Sequence, residues 1–191
     1  MQTNLTCTIN HNYLFYGSNN YFIFEGRVYM KNLLIIGAGQ YGTMIKESAR
    51  ALNEYDKIDF LDDESADAIG KVSDCAKFVE TYQYALVAIG NGAIRLEITD
   101  KLKAAGYQIA SFISRRAYVS PSAEVEEGCV VEPMAVIAAG SKICRCTIVS
   151  SGAVVNHNST VLEGSHIDCN ATVRSNSTVP AKTKIECGKV F

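Results

Sequence analysis

Two histidines, His157 and His166, are the side chains of this chain best suited to move a proton near neutral pH. A neutral imidazole can serve as general base for an amine or hydroxyl that attacks an acyl carbon, with backbone N–H groups stabilising the oxyanion. The plainer reading of either residue is a solvated surface ring. Asn158 directly follows His157 and can orient its ring without adding charge. Asn is also a residue type that tolerates a left-handed turn, so its presence has a purely conformational explanation too. The third histidine, His11, lies in an opening stretch of different composition.

The elements around the pair give its spacing meaning. From Ala117 onward an aliphatic residue returns every sixth position, through Val119, Val125, Val131 and Ile137 to Ile185, and Phe191 is still in phase. A small residue sits two positions before each, with Lys189 the first departure, and Gly or Asn recurs three positions after. Gly and Asn accept positive φ most cheaply, so the three signals together describe a parallel β-helix of hexapeptides with a tight turn at every corner. Three hexapeptides close one triangular coil, residues eighteen apart stack, and roughly four coils result. Such coils are scaffolds associated with acyl transfer; their handedness is not contained in the period.

On this frame His157 lies at a corner two residues after Val155, whereas His166 falls between inward Ser165 and Ile167 and points outward. Half a coil separates them, so they occupy different sides of one triangle, each side about 16 Å long at roughly 3.3 Å per residue. One chain does not readily bring both rings to one substrate. A threefold assembly could, with His157 of one copy facing His166 of the next.

Ahead of the coil, Lys31–Ile36 reads as a buried parallel strand entering Gly37-Ala38-Gly39-Gln40-Tyr41-Gly42, a GxGxxG turn, and then a helix to about Leu52. A strand Lys57–Leu61 ends in Asp62-Asp63, and a strand Tyr84–Ile89 ends in Gly90-Asn91. A helix near Ala93–Ala105 and a strand Gln108–Ile113 follow. Alternating β and α elements imply a parallel sheet with ligands at the strand carboxyl ends. The glycine turn either lets backbone N–H groups approach a phosphate or serves tight strand–helix packing. Asp62 stands where a ribose hydroxyl acceptor is expected. With only half the length of a dinucleotide fold, the module suits a single nucleotide, such as a nucleotide-linked sugar, better than NAD.

The chain of 191 residues, 48 % of them hydrophobic, has material for two small units, assigned here to 30–114 and 115–191. Residues 1–29 read as a leader, either non-native or disordered, with Met30 as the biological start. A net charge of −2 without a basic cluster gives no support to nucleic-acid binding. No apolar run reaches the roughly 18 residues of a membrane span. The seven cysteines lack CxxC pairs and read as reduced thiols of a cytoplasmic protein, with no metal site.

Five pieces in this order resemble one family: Ile36–Gly42, Phe60-Leu61-Asp62-Asp63, Ala88-Ile89-Gly90-Asn91 with Arg95, Ser120-Pro121-Ser122-Ala123, and Val155-Asn156-His157 followed by Ser165-His166-Ile167. The family is that of the sialic-acid O-acetyltransferase-like hexapeptide acyltransferases, which includes UDP-4-amino-sugar N-acetyltransferases. The resemblance implies a left-handed coil and a Rossmann-like module that holds a nucleotide-sugar through Gly39, Gln40, Tyr41, Asp62, Asp63, Gly90 and Asn91. It implies His157 as general base, His166 beside the acetyl group, and acetyl-CoA as co-substrate in a groove between copies of a homotrimer. The residue after the base is often acidic in that family, and here it is Asn158. Many relatives carry further coils and a tail that help enclose the coenzyme, whereas this sequence is still in phase at Phe191. The leading expectation is therefore acetyl transfer to an amine or hydroxyl of a nucleotide-linked or sialic-acid-type sugar. An inactive nucleotide-sugar-binding or assembly subunit and a nicotinamide-dependent oxidoreductase are the alternatives.

Overall fold

The computed structural model describes residues 31–191 and, before them, the backbone of three short strands, β1 (Leu14–Phe15), β2 (Tyr21–Phe24) and β3 (Arg27–Met30). These pair antiparallel in the order β1-β2-β3. Apart from that backbone, the expectations for a leader over 1–29 and for His11 lie outside the described residues.

Leu33, Leu34, Ile35 and Ile36 are all buried, which a strand achieves only when both faces of its sheet are covered. They form the centre of β4 (Asn32–Ile36), followed by α1 (Gln40–Leu52), β5 (Lys57–Leu61), β6 (Tyr84–Val87), α2 (Gly92–Ala104) and β7 (Gln108–Ile109). The sheet is parallel throughout, in the order β5-β4-β6-β7. Helix α1 buries Ile45 and Ala49 and stops at Asn53, whose φ of 55° ends it in the left-handed conformation.

The final strand is shorter than the sequence reading gave. Gln108–Ile109 pairs with β6, but Phe112–Ile113 pairs in parallel with Val130–Val131 and is already a strand of the coil. The parallel stacking of the coil thus begins ahead of Ala117, at Phe112–Ile113. Apolar character alone could not divide the run, because Ile109 and Phe112 are covered from different sides.

The rest of the chain is the left-handed parallel β-helix. Strands stack at an offset of eighteen, as in Glu124 against Lys142 and Val136 against Val154. The inward series from Val131 to Val179 is fully buried, with the partly buried Val119 and Val125 at one end. Ser141, Ser159 and Ser165 fill small-residue slots and donate their hydroxyls to the carbonyls of Asn156, Arg174 and Pro180 at 2.8, 2.7 and 2.9 Å. Those bonds explain why a hydroxyl is tolerated in the interior. Corner residues from Gly128 to Gly188 have positive φ even where the sequence supplies neither Gly nor Asn: Met134 (64°), Cys146 (56°) and Lys182 (59°). The repeat imposes the turn there at a cost of about 1–2 kcal/mol per residue.

Module and coil share a core. One outward column runs Phe112, Val130, Ile148, His166, Lys184. Its first three members pack with Leu33, Ile35, Ile45 and Ala49 of the module. Each such side chain contributes roughly 1.5–3 kcal/mol by burial. The column turns polar at His166, next to the Gly164 and Ser165 carbonyls that Arg95 of the module reaches.

Candidate active site

The glycine turn divides by function. Gly37 needs its positive φ of 103°, and a Cβ on Gly42 would lie 1.9 Å from the Gly37 carbonyl oxygen, so both are explained by packing. Gly39 has extended backbone and nothing within 4 Å of where its Cβ would point, and Gly90 likewise faces open space. These two glycines make room at the carboxyl ends of β4 and β6. Helix α1 begins there with no side-chain cap, which leaves its first N–H groups directed outward, as an anion requires.

The other residues expected to bind the nucleotide-sugar are placed around this room. Gln40 is exposed at the first turn of α1. Beside it the Tyr41 hydroxyl is buried and makes no hydrogen bond among the described residues, and burial pushes its pKa far up. Asp62 is already engaged: Oδ2 accepts the Ala38 N–H at 2.8 Å, and Oδ1 accepts those of Glu64 and Ser65 at 2.9 Å each. These bonds, the Ala38 one foremost, hold its pKa below the usual carboxylate range. Asp63 Oδ1 accepts the Val72 N–H at 3.0 Å. The two aspartates therefore shape the loop after β5 around an open cleft of about 380 Å³, also lined by Ser65, Gly70, Lys71 and Asp74. Its carboxylates favour a neutral hydrogen-bonding group over a phosphate. Asn91 caps α2, its Oδ1 accepting the N–H groups of Ala93 and Ile94 at 3.0 and 3.1 Å.

Arg95, present in the sequence reading only as a motif member, joins the two units. It is fully buried, and its guanidinium donates to five carbonyl oxygens. Nη1 reaches Ile89 and Gly90 at 2.6 and 3.0 Å, Nε reaches Cys146 at 2.7 Å, and Nη2 reaches Gly164 and Ser165 at 2.9 and 3.2 Å. Desolvation lowers its pKa. Next to it Gly92 meets Gly164 so closely that a Cβ would lie 1.9 Å from the Gly164 oxygen. One guanidinium thus fixes the Gly90 loop against the residue preceding His166.

His166 is outward from the coil, as expected, yet it is not a solvated ring: its side chain is 20 % exposed. Nε2 lies 2.9 Å from Ser150 Oγ and 3.9 Å from Asp168 Oδ1. Desolvation lowers its pKa below the usual imidazole range; Asp168 opposes that shift and Arg95 adds to it. Arg95 of the module is among the charges that act on the ring, a neighbour that the hexapeptide phase alone could not reveal. His157 is exposed at its corner, with Nδ1 3.5 Å from Asn158 Nδ2, and Asn158 in turn lies 3.5 Å from Asn176 Oδ1. Asn158 has φ of 56°, so its conformational role holds whatever else it does. The two histidines lie on different sheets: His157 follows Val154–Val155, and His166 pairs with Ile148. The described chain does not bring them together.

Two residues at this seam escaped the sequence reading. Glu132 and Ser150 are 7 % and 4 % exposed and lie eighteen apart in the column that leads to Asp168. Their signal was that spacing: a carboxylate, a hydroxyl and a carboxylate in one corner column, beside the column that carries His166.

Residues 32–102 match the family described as the PglD N-terminal domain. The acetyltransferase domain of PglB from Neisseria gonorrhoeae FA1090, in complex with acetyl coenzyme A, is 32 % identical over 85 % of this chain and 82 % of its own, with a TM-score of 0.81. PerB from Caulobacter crescentus, in complex with CoA and GDP-perosamine, is 25 % identical over 85 % and 89 %, with a TM-score of 0.71. WeeI from Acinetobacter baumannii AYE, 16 % identical over 84 % and 88 % with a TM-score of 0.52, shares the fold. The likeness to PglB spans the module, the seam and the coil together, and on that ground the chain belongs to the hexapeptide-repeat sugar acetyltransferases with a PglD-type amino-terminal module.

Proposed function

We propose that this protein transfers the acetyl group of acetyl-CoA to an amine or hydroxyl of a nucleotide-linked sugar. The observation that carries the reading is the seam: Arg95 ties Gly90, one of the two open glycines, to Ser165, the neighbour of His166. A nucleotide-sugar held at the strand ends is thereby directed toward an imidazole on the coil. The uncapped start of α1 suits its phosphates, and the cleft beside Asp62 and Asp63 suits its base or ribose. A ligand atom that bonds the Tyr41 hydroxyl would relieve an unpaired group worth about 1–3 kcal/mol. The PglB and PerB complexes hold acetyl coenzyme A, or CoA with GDP-perosamine, which supports both the donor and the class of acceptor.

In the reaction, the acceptor nitrogen or oxygen bonds to the acetyl carbon and the carbon–sulfur bond breaks. His157 takes the acceptor proton and returns it to the departing thiolate. His166 lies by the acetyl group, and coil N–H groups stabilise the oxyanion. A homotrimer that sets His157 of one copy across from His166 of another completes the site. Support comes from the half-exposed apolar column Tyr118, Val136, Val154 on the face ahead of His157. The coenzyme then lies along the contact, in the cytoplasm where acetyl-CoA is supplied. Among the described residues no helix is long and apolar enough to cross a membrane.

Coenzyme-thiol release on mixing with acetyl-CoA and UDP- or GDP-linked amino sugars tests the reading, with free sialic acid as the O-acetylation arm. Absence of acceptor-dependent thiol release from a folded trimer would defeat it. The second reading, an inactive binding subunit, draws on the neutral amides around His157, and it predicts nucleotide-sugar binding without turnover.

A further inference from the structure

Glu132 and Glu126 occupy the same place on successive hexapeptides, and each accepts a backbone N–H nineteen residues on. Glu126 Oε2 takes that of Arg145 at 2.9 Å, and Glu132 Oε2 takes that of Ser151 at 3.0 Å along with the Ser151 hydroxyl at 2.9 Å. Their remaining oxygens differ. Glu126 Oε1 pairs with Lys142 at 2.9 Å on the surface. Glu132 Oε1 instead lies 3.4 Å from Ser150 Oγ, which is itself 2.9 Å from His166 Nε2. A corner cap explains one oxygen of Glu132 and leaves the other aimed, through a buried hydroxyl, at the imidazole.

Proton placement follows from what each group can do. A carboxylate only accepts, so it draws the Ser150 hydroxyl hydrogen toward itself, and the Ser150 oxygen is left to accept from the ring. Asp168 Oδ1, 3.9 Å from Nε2, favours a proton at the same atom. The other charged groups facing the ring are Lys184, which pairs with Asp168 at 3.1 Å, and Arg95 from α2; both favour a neutral imidazole.

Building on the acetyltransferase reading, we propose that Glu132 and Ser150 are positioning residues that fix His166 as its Nε2–H tautomer and turn an unprotonated Nδ1 toward the reacting groups. Nδ1 then accepts a hydrogen bond from the N–H or O–H of the acceptor sugar. A flipped tautomer would present a donor there and repel the same group.

Glu132→Gln tests this without removing the corner cap. The Ser151 N–H can only donate, so the new amide oxygen must face Ser151 and its NH₂ must face Ser150. The Ser150 hydroxyl then has only Nε2 to donate to, and the ring switches to Nδ1–H. Nitrogen NMR of ¹⁵N-histidine-labelled protein, at a pH where the ring is neutral, reads the tautomer directly. Three histidines in the sequence make assignment by substitution practical. The expected result is an unprotonated Nδ1 in the parent protein, a protonated one in Glu132→Gln, and no change in Glu126→Gln. In the same variants kcat for acetyl transfer falls about tenfold or more in Glu132→Gln, with KM for acetyl-CoA little altered and Glu126→Gln like the parent. An Nδ1–H tautomer in the parent, no switch in Glu132→Gln, or a switch with unchanged kcat overturns the proposal. The NMR result is independent of turnover, so a protein with no acetyl transfer would sink the functional reading and leave the tautomer assignment standing or falling by itself.

Discussion

The corner at His157 and the seam at His166 are built from one repeat and have opposite surroundings. His157 is exposed, and its nearest polar partner is the neutral amide of Asn158 at 3.5 Å. His166 is largely covered, with a hydroxyl at 2.9 Å, one carboxylate beyond that hydroxyl and another at 3.9 Å. A repeat fixes where a side chain starts but not what covers it. The seam is furnished by its own chain, whereas among the described residues the exposed His157 ring has only the Asn158 amide beside it.

The contrast can be broken from the seam side first. Replacing Arg95 by Met leaves five carbonyls without their donor and should cost about 3–5 kcal/mol, read as a lower midpoint in denaturant. A midpoint shift of under 1 kcal/mol would show that the module docks through its apolar column alone. At the corner, His157→Ala should lower kcat by about a hundredfold or more with folding unchanged, because among the described residues the exposed ring is met by only the long 3.5 Å contact to Asn158. Retention of most turnover would pass the base role to His166 and invert the comparison. Gly39→Val fills the open space at the start of α1 and should raise KM for the nucleotide-sugar about tenfold while thermal stability stays put.

Asn158→Asp sharpens the comparison by giving the corner the charge that the seam already has. Aspartate tolerates the left-handed turn, so the fold should hold, and kcat should rise a few-fold if orientation without charge now limits the base. The smallest effect is in pH. Burial lowers the His166 pKa from 6.5, so the unfolded chain takes up a proton there before the folded one does. Its contribution to stability is complete above pH 6.5 and is lost as pH falls through the lower folded value. Melting temperature should drop over that range by less in His166→Asn than in the parent.

Much of the site's scaffold was legible. The strands at Asn32–Ile36 and Lys57–Leu61, the helix that ends at Leu52, and the whole hexapeptide phase match the sequence reading. The glycine turn was legible as a turn but not in its division of labour. Only the packed structure shows Gly37 and Gly42 consumed by contacts and Gly39 facing open space. Asp62 and Asn91 were read as ligand-binding, and both are seen holding backbone N–H groups, a duty the same residue types perform in any tight loop.

What the amino-acid sequence determined alone is the interior of the coil and the core of the sheet. Their requirements are local: an inward position must be branched and apolar, and a corner must adopt positive φ, whatever lies elsewhere. What only the tertiary structure decided is the fate of the outward positions. Val130, Ile148 and His166 share one outward column, and the docked module makes the first two core, while the third is a largely covered imidazole bonded to Ser150 of the coil and influenced by Arg95 of the module. That outcome depends on a contact between distant parts of the chain, set by Arg95 and by the fit of one surface to another, and no periodicity encodes it.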